Sequence, residues 1–313
     1  MRQEEEAAKR LDQGIRALQE EDYETAKKHF EEAVALNDDL AAAHSNLGLL
    51  ALAQNDPEKA RTCFQKAVEK DPREHSAYNN LAALEQGAQR YREAEQLYLK
   101  SIQLNSEGTQ AYYNLGLLYM REDKLVQAKS AFEKVTQLDP DHFDAFYMLG
   151  NVYATLQDYY AAIANFQYLV FHKPEVLEGR VALAEMYRRQ GKYPLAIHEL
   201  RSAIRENPDD PDLIQHLGLI FMETASGEMA LGAFEKVVEL DPSRADAFEV
   251  LAILYDIAGF DQAALEACEK AMELDPENER TPEIYADLKA KLAANTASVP
   301  SDSTQPEQTE ETP

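Results

Sequence analysis

The sequence predicts an all-α chain of stacked antiparallel helix pairs, and three observations predict it. Two apolar runs at helical spacing sit side by side in the stretch 109–142: Tyr112, Leu115, Leu118 and Tyr119 share one face, and Ala128, Phe132, Val135 and Leu138 share another. Asp139-Pro140 then stops the second run, because a residue before proline is pushed out of the helical region. The same pattern returns every 34 residues without a gap, in units that begin at Ala7, Ala41, His75, Thr109, Phe143, Leu177, Pro211 and Ala245. Fixed positions also keep a fixed residue size. The eighth is Gly14, Gly48, Ala82, Gly116, Gly150, Ala184, Gly218 and Ala252, and the twentieth is alanine throughout. The twenty-fourth is Phe30, Phe64, Tyr98, Phe132, Phe166, Leu200, Phe234 and Cys268. Small residues let two helix backbones approach, and the large one is expected to fill the gap toward the next unit. Two short helices cannot close a core alone, so each unit needs a like neighbour.

This register resembles the tetratricopeptide repeat family, whose period and L-G…Y…A…F…P pattern these residues match. The resemblance covers residues 7–278. It implies a right-handed superhelical solenoid whose first helices line a concave groove.

Taken in order, residues 1–6 are an acidic segment ahead of the repeats. Eight repeats follow: 7–40, 41–74, 75–108, 109–142, 143–176, 177–210, 211–244 and 245–278. The first is irregular, with Arg10 and Ala17 at positions where large residues are usual, as suits a terminal repeat with one wet face. In the third, Glu85 and then Gly87 break the pattern, which predicts a loose first helix. The fifth is rich in aromatics: Phe146, Tyr153, Tyr159 and Phe166 at core positions, and Phe143, Tyr147, Tyr160, Tyr168 and Phe171 outside them. Thr281 with Pro282 predicts the N-cap of a last helix, 279–294, that solvates the array through Ile284, Leu288 and Leu292. Residues 295–313 are Ser, Thr, Pro, Gln and Glu with little to bury, so the composition predicts a disordered tail.

The chain of 313 residues carries 31 basic and 57 acidic side chains, a net charge of −26. That argues against nucleic acid and anionic membranes as partners, since both attract clustered Lys and Arg. No apolar run approaches the roughly 18 residues of a membrane helix, so direct membrane insertion is not expected. Met1-Arg2-Gln3-Glu4-Glu5-Glu6 is no signal peptide, and a cytoplasmic location is expected. Cys63 and Cys268 fall six units apart and read as small buried hydrophobes, not a disulfide. The histidines lie in different units without an i,i+4 pair, and no phosphate loop is present, so no metal, cofactor or catalytic site is expected.

What remains is the groove. Carried over from the family, its positions hold Leu11, Ile15, Leu18, Leu49, Leu52, Tyr113, Leu117, Met120 and Tyr147; some of these could instead tuck against the next helix. Asn46, Asn80 and Asn114 recur at one position of successive units, after Asp12. They resemble the asparagine ladder in the repeat arm of the O-linked N-acetylglucosamine transferase, where amides bond the main chain of an extended peptide. An amide offers both donor and acceptor, so it pairs with any peptide sequence. The carboxylate clamp of heat-shock cochaperones is missing: its positions hold Leu11, Ile15, Ser76 and Asn80, with Asn46 retained. A second pocket is expected from Tyr147, Asn151, Arg188 and Arg189, selective for an acidic or aromatic partner residue, unless the arginines only pair with Glu185. The expected function is non-enzymatic protein or peptide binding, as an adaptor or scaffold. The alternatives are a self-associating structural scaffold and a targeting arm for an enzyme in another chain.

Overall fold

The computed structural model describes residues 2–297, and among these it is all-α, with 17 helices. The first helices of successive pairs are α1 (Arg2–Gln19), α3 (Ala41–Ala53), α5 (His75–Gly87), α7 (Thr109–Arg121), α9 (Phe143–Thr155), α11 (Leu177–Arg189), α13 (Pro211–Glu223) and α15 (Ala245–Ala258). Their partners are α2 (Tyr23–Leu36), α4 (Pro57–Lys70), α6 (Tyr91–Leu104), α8 (Leu125–Leu138), α10 (Tyr159–His172), α12 (Tyr193–Glu206), α14 (Gly227–Leu240) and α16 (Asp261–Leu274), and α17 (Arg280–Ala297) closes the series. From α3 onward every first helix begins on the residue at which the 34-residue register places it. The chain divides into two compact units, Met1–Lys173 with α1–α10 and Pro174–Pro313 with α11–α17.

Five of the eight pairs share one packing contact. Phe30, Phe64, Phe132, Phe166 and Phe234 are fully buried, and each lies against the glycine sixteen residues before it. A Cβ added at Gly48 would stand 2.5 Å from the Phe64 ring, and one at Gly218 would stand 2.9 Å from Phe234. Position 20 is the other contact: Ala26, Ala60, Ala94, Ala128, Ala162, Ala196, Ala230 and Ala264 are all fully buried. Between the helices of a pair the chain reverses through one left-handed residue: Glu21, Asn55, Gln89, Asp123, Gln157, Gly191, Ala225 and Gly259, one per repeat. Six of these are not glycine, so the tight reversal imposes the conformation. Asp22, Asp56 and Asp158 follow it and cap α2, α4 and α10, accepting from the amides of Thr25, Lys59 and Ala161.

Successive pairs are tied by tyrosines. Tyr119 donates to Glu95 (2.8 Å), Tyr153 to Glu133 (2.6 Å) and Tyr255 to Glu235 (2.9 Å). Burial and then the carboxylate bond raise these hydroxyls, those of Tyr153 and Tyr255 to about 12.

Several expectations are corrected. Residues 2–6 are not a separate segment: α1 starts at Arg2, and Glu6 accepts an ion pair from Arg10 (3.3 Å). The first helix of the third repeat is not loose. Glu85, only 7% exposed, takes Arg61 Nε (2.9 Å) on one oxygen and Arg90 Nε on the other. The carboxylate is paired rather than stranded, so α5 runs its full length. Thr281 is not the N-cap of the last helix. Asn278 accepts from the amides of Arg280 and Thr281, while the buried Thr281 hydroxyl donates to Glu249 (2.7 Å) and keys α17 to α15. Leu288 of α17 is buried as expected. Cys268 is buried, which pushes its thiol up to about 11, but Cys63 is only half-buried. Phe171, one of the aromatics outside the core positions, is 81% exposed. The tail expected from 295 does not begin there, because α17 continues to Ala297; its remainder, 298–313, lies outside the described residues.

Candidate functional site

The first-helix face of the first unit is built from α3, α5, α7 and α9. Leu49 and Leu52 are 38% and 37% exposed on α3, large side chains that this fold leaves uncovered. Asn46, Asn80 and Asn114 are half-buried at one register position. The Asn46 amide donates to the Ala42 carbonyl (2.8 Å), so its side-chain oxygen remains an acceptor. Asn114 donates to Asn79 Oδ1 (3.2 Å) and accepts from Gln110 Nε2 (3.1 Å), which ties α7 to α5. The amides therefore serve the array as well as its surface.

Tyr113, Leu117 and Met120 are half-buried against the core of Leu115, Leu118 and Phe132. Tyr113 meets the Phe132 ring edge-on, with centroids 5.6 Å apart, and burial raises its hydroxyl. Leu11, Ile15 and Leu18 likewise pack on the core around Phe30. Tucking and exposure are thus both real, with Leu49 and Leu52 the most open. Tyr147 lies half-buried beside Phe166, centroids 5.9 Å apart, and Asn151 is half-buried one turn on.

Within the second unit, Arg188 and Arg189 converge on Glu185. Arg188 forks onto it through Nε (2.7 Å) and Nη2 (2.8 Å), and Arg189 adds Nε (2.7 Å). Arg188 also donates to Glu223 of α13. Burial alone would raise the Glu185 carboxyl, but the arginine hydrogen bonds outweigh it and hold the group below its ordinary range. Beside this cluster lies a cleft of about 310 Å³ lined by Val181, His216 and Leu219. The pairing with Glu185 could be read in the sequence. The bond to Glu223 could not, because it joins positions 12 and 13 of successive repeats, 35 residues apart.

Among the described residues no group of three or more His, Cys, Asp or Glu is placed to hold a metal ion, and no helix is long and apolar enough to cross a membrane.

Comparison with protein families gives matches to tetratricopeptide repeat models over residues 11–75, 45–109 and 147–211, and over 109–142, together more than half of the chain. Comparison with curated protein sequences gives no match. Among solved structures, Pseudomonas aeruginosa PilF is similar at a TM-score of 0.60 and 21% identity, over 72% of this chain and 99% of that one. A tetratricopeptide repeat protein from Parabacteroides merdae is similar at 0.56 and 17% identity, over 80% and 98%. MamA from Desulfovibrio magneticus RS-1 is similar at 0.50 and 21% identity, over 55% and 97%. At these identities the likeness concerns the fold.

Proposed function

The chain belongs to the tetratricopeptide repeat family, and we propose that it is a non-enzymatic adaptor that holds an extended peptide segment along α3, α5, α7 and α9. The observation that carries this reading is the uncharged row on that face: half-exposed leucines beside amides repeated once per repeat. Leu49, Leu52, Tyr113, Leu117, Met120 and Tyr147 supply apolar area for the partner's side chains. Asn46, Asn80 and Asn114 supply donors and acceptors for its main chain. A peptide bound this way is chosen by shape and apolar side chains more than by charge. Asn151 adds a further amide to this row, and in the second unit Arg188 and Arg189 are proposed to meet acidic partner residues, which have to compete with Glu185 and Glu223.

The test is selection of binders from a random peptide library, followed by titration against a variant with Asn46, Asn80 and Asn114 all changed to alanine. Binding should fall by at least about tenfold, since three hydrogen bonds of roughly 0.5–1.5 kcal/mol each are removed. The melting temperature should fall only modestly, through loss of the Asn114 tie between α7 and α5, so binding is compared well below both transitions. Equal binding by both proteins would remove the amides from the site.

A further inference from the structure

A second surface lies on α12, the second helix of the sixth repeat. On α12, His198, Arg201 and Arg205 follow one another along one exposed helical face, at positions 22, 25 and 29 of the repeat. In the next two repeats positions 25 and 29 are acidic: Glu235 and Glu239, then Glu269 and Glu273. Arg201 and Arg205 also differ from the other arginines of their unit. Arg180, Arg188, Arg189, Arg244 and Arg280 each reach a carboxylate within 4.0 Å. Among the described residues Arg201 reaches none, and Arg205 donates only to the Arg201 carbonyl (3.4 Å) and the Ser202 hydroxyl (2.9 Å). Within a unit whose five other arginines all reach a carboxylate, these two stand apart.

The arginines do not stand on a flat polar surface. They rim a cleft of about 560 Å³ between α12 and α13, with Pro194, Ile197 and Ile204 on its wall and the buried Leu217 of α13 at its floor. Guanidinium groups at the rim of an apolar cleft suit a ligand that offers carboxylates and aliphatic groups together. Arg201 and Arg205 lie one helical turn apart, the spacing of carboxylates at i and i+4 of a facing helix. An anionic membrane is the poorer fit, because the acidic bulk of the protein repels it.

We propose that the α12 cleft docks an acidic amphipathic segment of a partner protein, its carboxylates on Arg201 and Arg205 and its aliphatic side chains on Ile197, Ile204 and Leu217. This site is independent of the first-helix row, so the two proposals stand or fall separately.

The test uses the full chain and a labelled synthetic peptide with leucines on one helical face and glutamates on the other, followed by fluorescence polarisation. The controls are a lysine-for-glutamate version of the peptide and phosphatidylglycerol vesicles. Two protein variants carry the same change in net charge: Arg201→Glu with Arg205→Glu, and Arg73→Glu with Arg92→Glu at exposed positions elsewhere. Melting followed by circular dichroism checks that both are folded. The acidic peptide should bind the wild type and the Arg73/Arg92 variant alike, and the Arg201/Arg205 variant at least about tenfold more weakly, with the gap closing as salt rises. The proposal is overturned by equal weakening in both variants, by equal binding of the lysine peptide, by vesicles binding in its place, or by no binding to the wild type.

Discussion

The two units use one packing scheme, but α3, α7 and α9 of the first and α11 of the second dress it with opposite chemistry. In the first unit α3 carries no charged residue, and α7 and α9 carry one each, Arg121 and Asp144, near a helix end. In the second unit α11 alone carries five: Glu178, Arg180, Glu185, Arg188 and Arg189. Uncharged half-exposed groups ask little of their neighbours and stay available to a main chain passing over them. Charges demand partners, and those of α11 find them at home, in Glu185, Glu199 and Glu223. The difference shows how a repeat protein separates stability from recognition. The Gly–Phe and alanine contacts recur in both units, whereas the exposed positions vary freely.

The largest expected effect tests what the units share. Gly48→Ala places a methyl 2.5 Å from the Phe64 ring, and overpacking of this kind costs about 1–3 kcal/mol. Gly218→Ala should cost less, because its nearest ring atom is 2.9 Å away; at both sites alanine regains up to about 1 kcal/mol of helix propensity. Urea unfolding measures both. Adding Phe64→Leu to Gly48→Ala should recover part of the loss, since Ala184 with Leu200 is the same pairing in the second unit. An equal cost at both glycines, or no recovery, would mean that ring distance does not set the energy.

Next in size is the buried carboxylate of the first unit. Glu85→Ala leaves Arg90 without its carboxylate and Arg61 with only Glu58, and should cost about 1–3 kcal/mol at neutral pH. Burial raises the Glu85 carboxyl, but hydrogen bonds from Arg90 and Arg61 outweigh it and depress the group below its ordinary 4.5. A depressed folded-state value contributes stability above the unfolded group's pKa, which is lost as pH falls through the folded value. The gap between wild type and variant should therefore be full at pH 7 and shrink on acidification below 4.5. A gap that persists into strong acid would assign the loss to packing instead of charge.

These two sites also mark how far the sequence could be read. Period and residue size placed the helix starts, because a repeating core leaves a repeating trace; the large residue was expected toward the next unit, whereas Phe64 packs on Gly48 of its own. Glu85 appeared as a defect, since its remedy comes from Arg61 on the preceding outer helix and from Arg90 just past the turn. The left-handed residue was hidden for a different reason. Position 15 holds Glu, Asn, Gln, Asp, Gly and Ala in different repeats, so the turn carries no residue signature. The α12 cleft was missed because His198, Arg201 and Arg205 sit outside the groove positions. Of the expected surface, the asparagine register and the convergence of Arg188 and Arg189 on Glu185 were legible, being local to one helix or one period.

The smallest expected effect bears directly on the contrast between the units. Arg188 is fixed by Glu185 and Glu223 at the edge of solvent, where an ion pair contributes about 0–1 kcal/mol. Arg188→Ala should lower stability by no more than this, and the loss should fade in concentrated salt, which screens exposed charges. Tyr147→Ala removes area beside Phe166 without opening the core, because Phe166 itself remains buried. Peptides selected on the wild-type protein discriminate the two. If the uncharged row is the main site, Tyr147→Ala weakens their binding severalfold and Arg188→Ala changes it by less than about twofold, since a peptide carboxylate would first have to displace Glu223. A large loss from Arg188→Ala, with melting kept, would move the main site to the charged cluster and reverse the division of labour between the units.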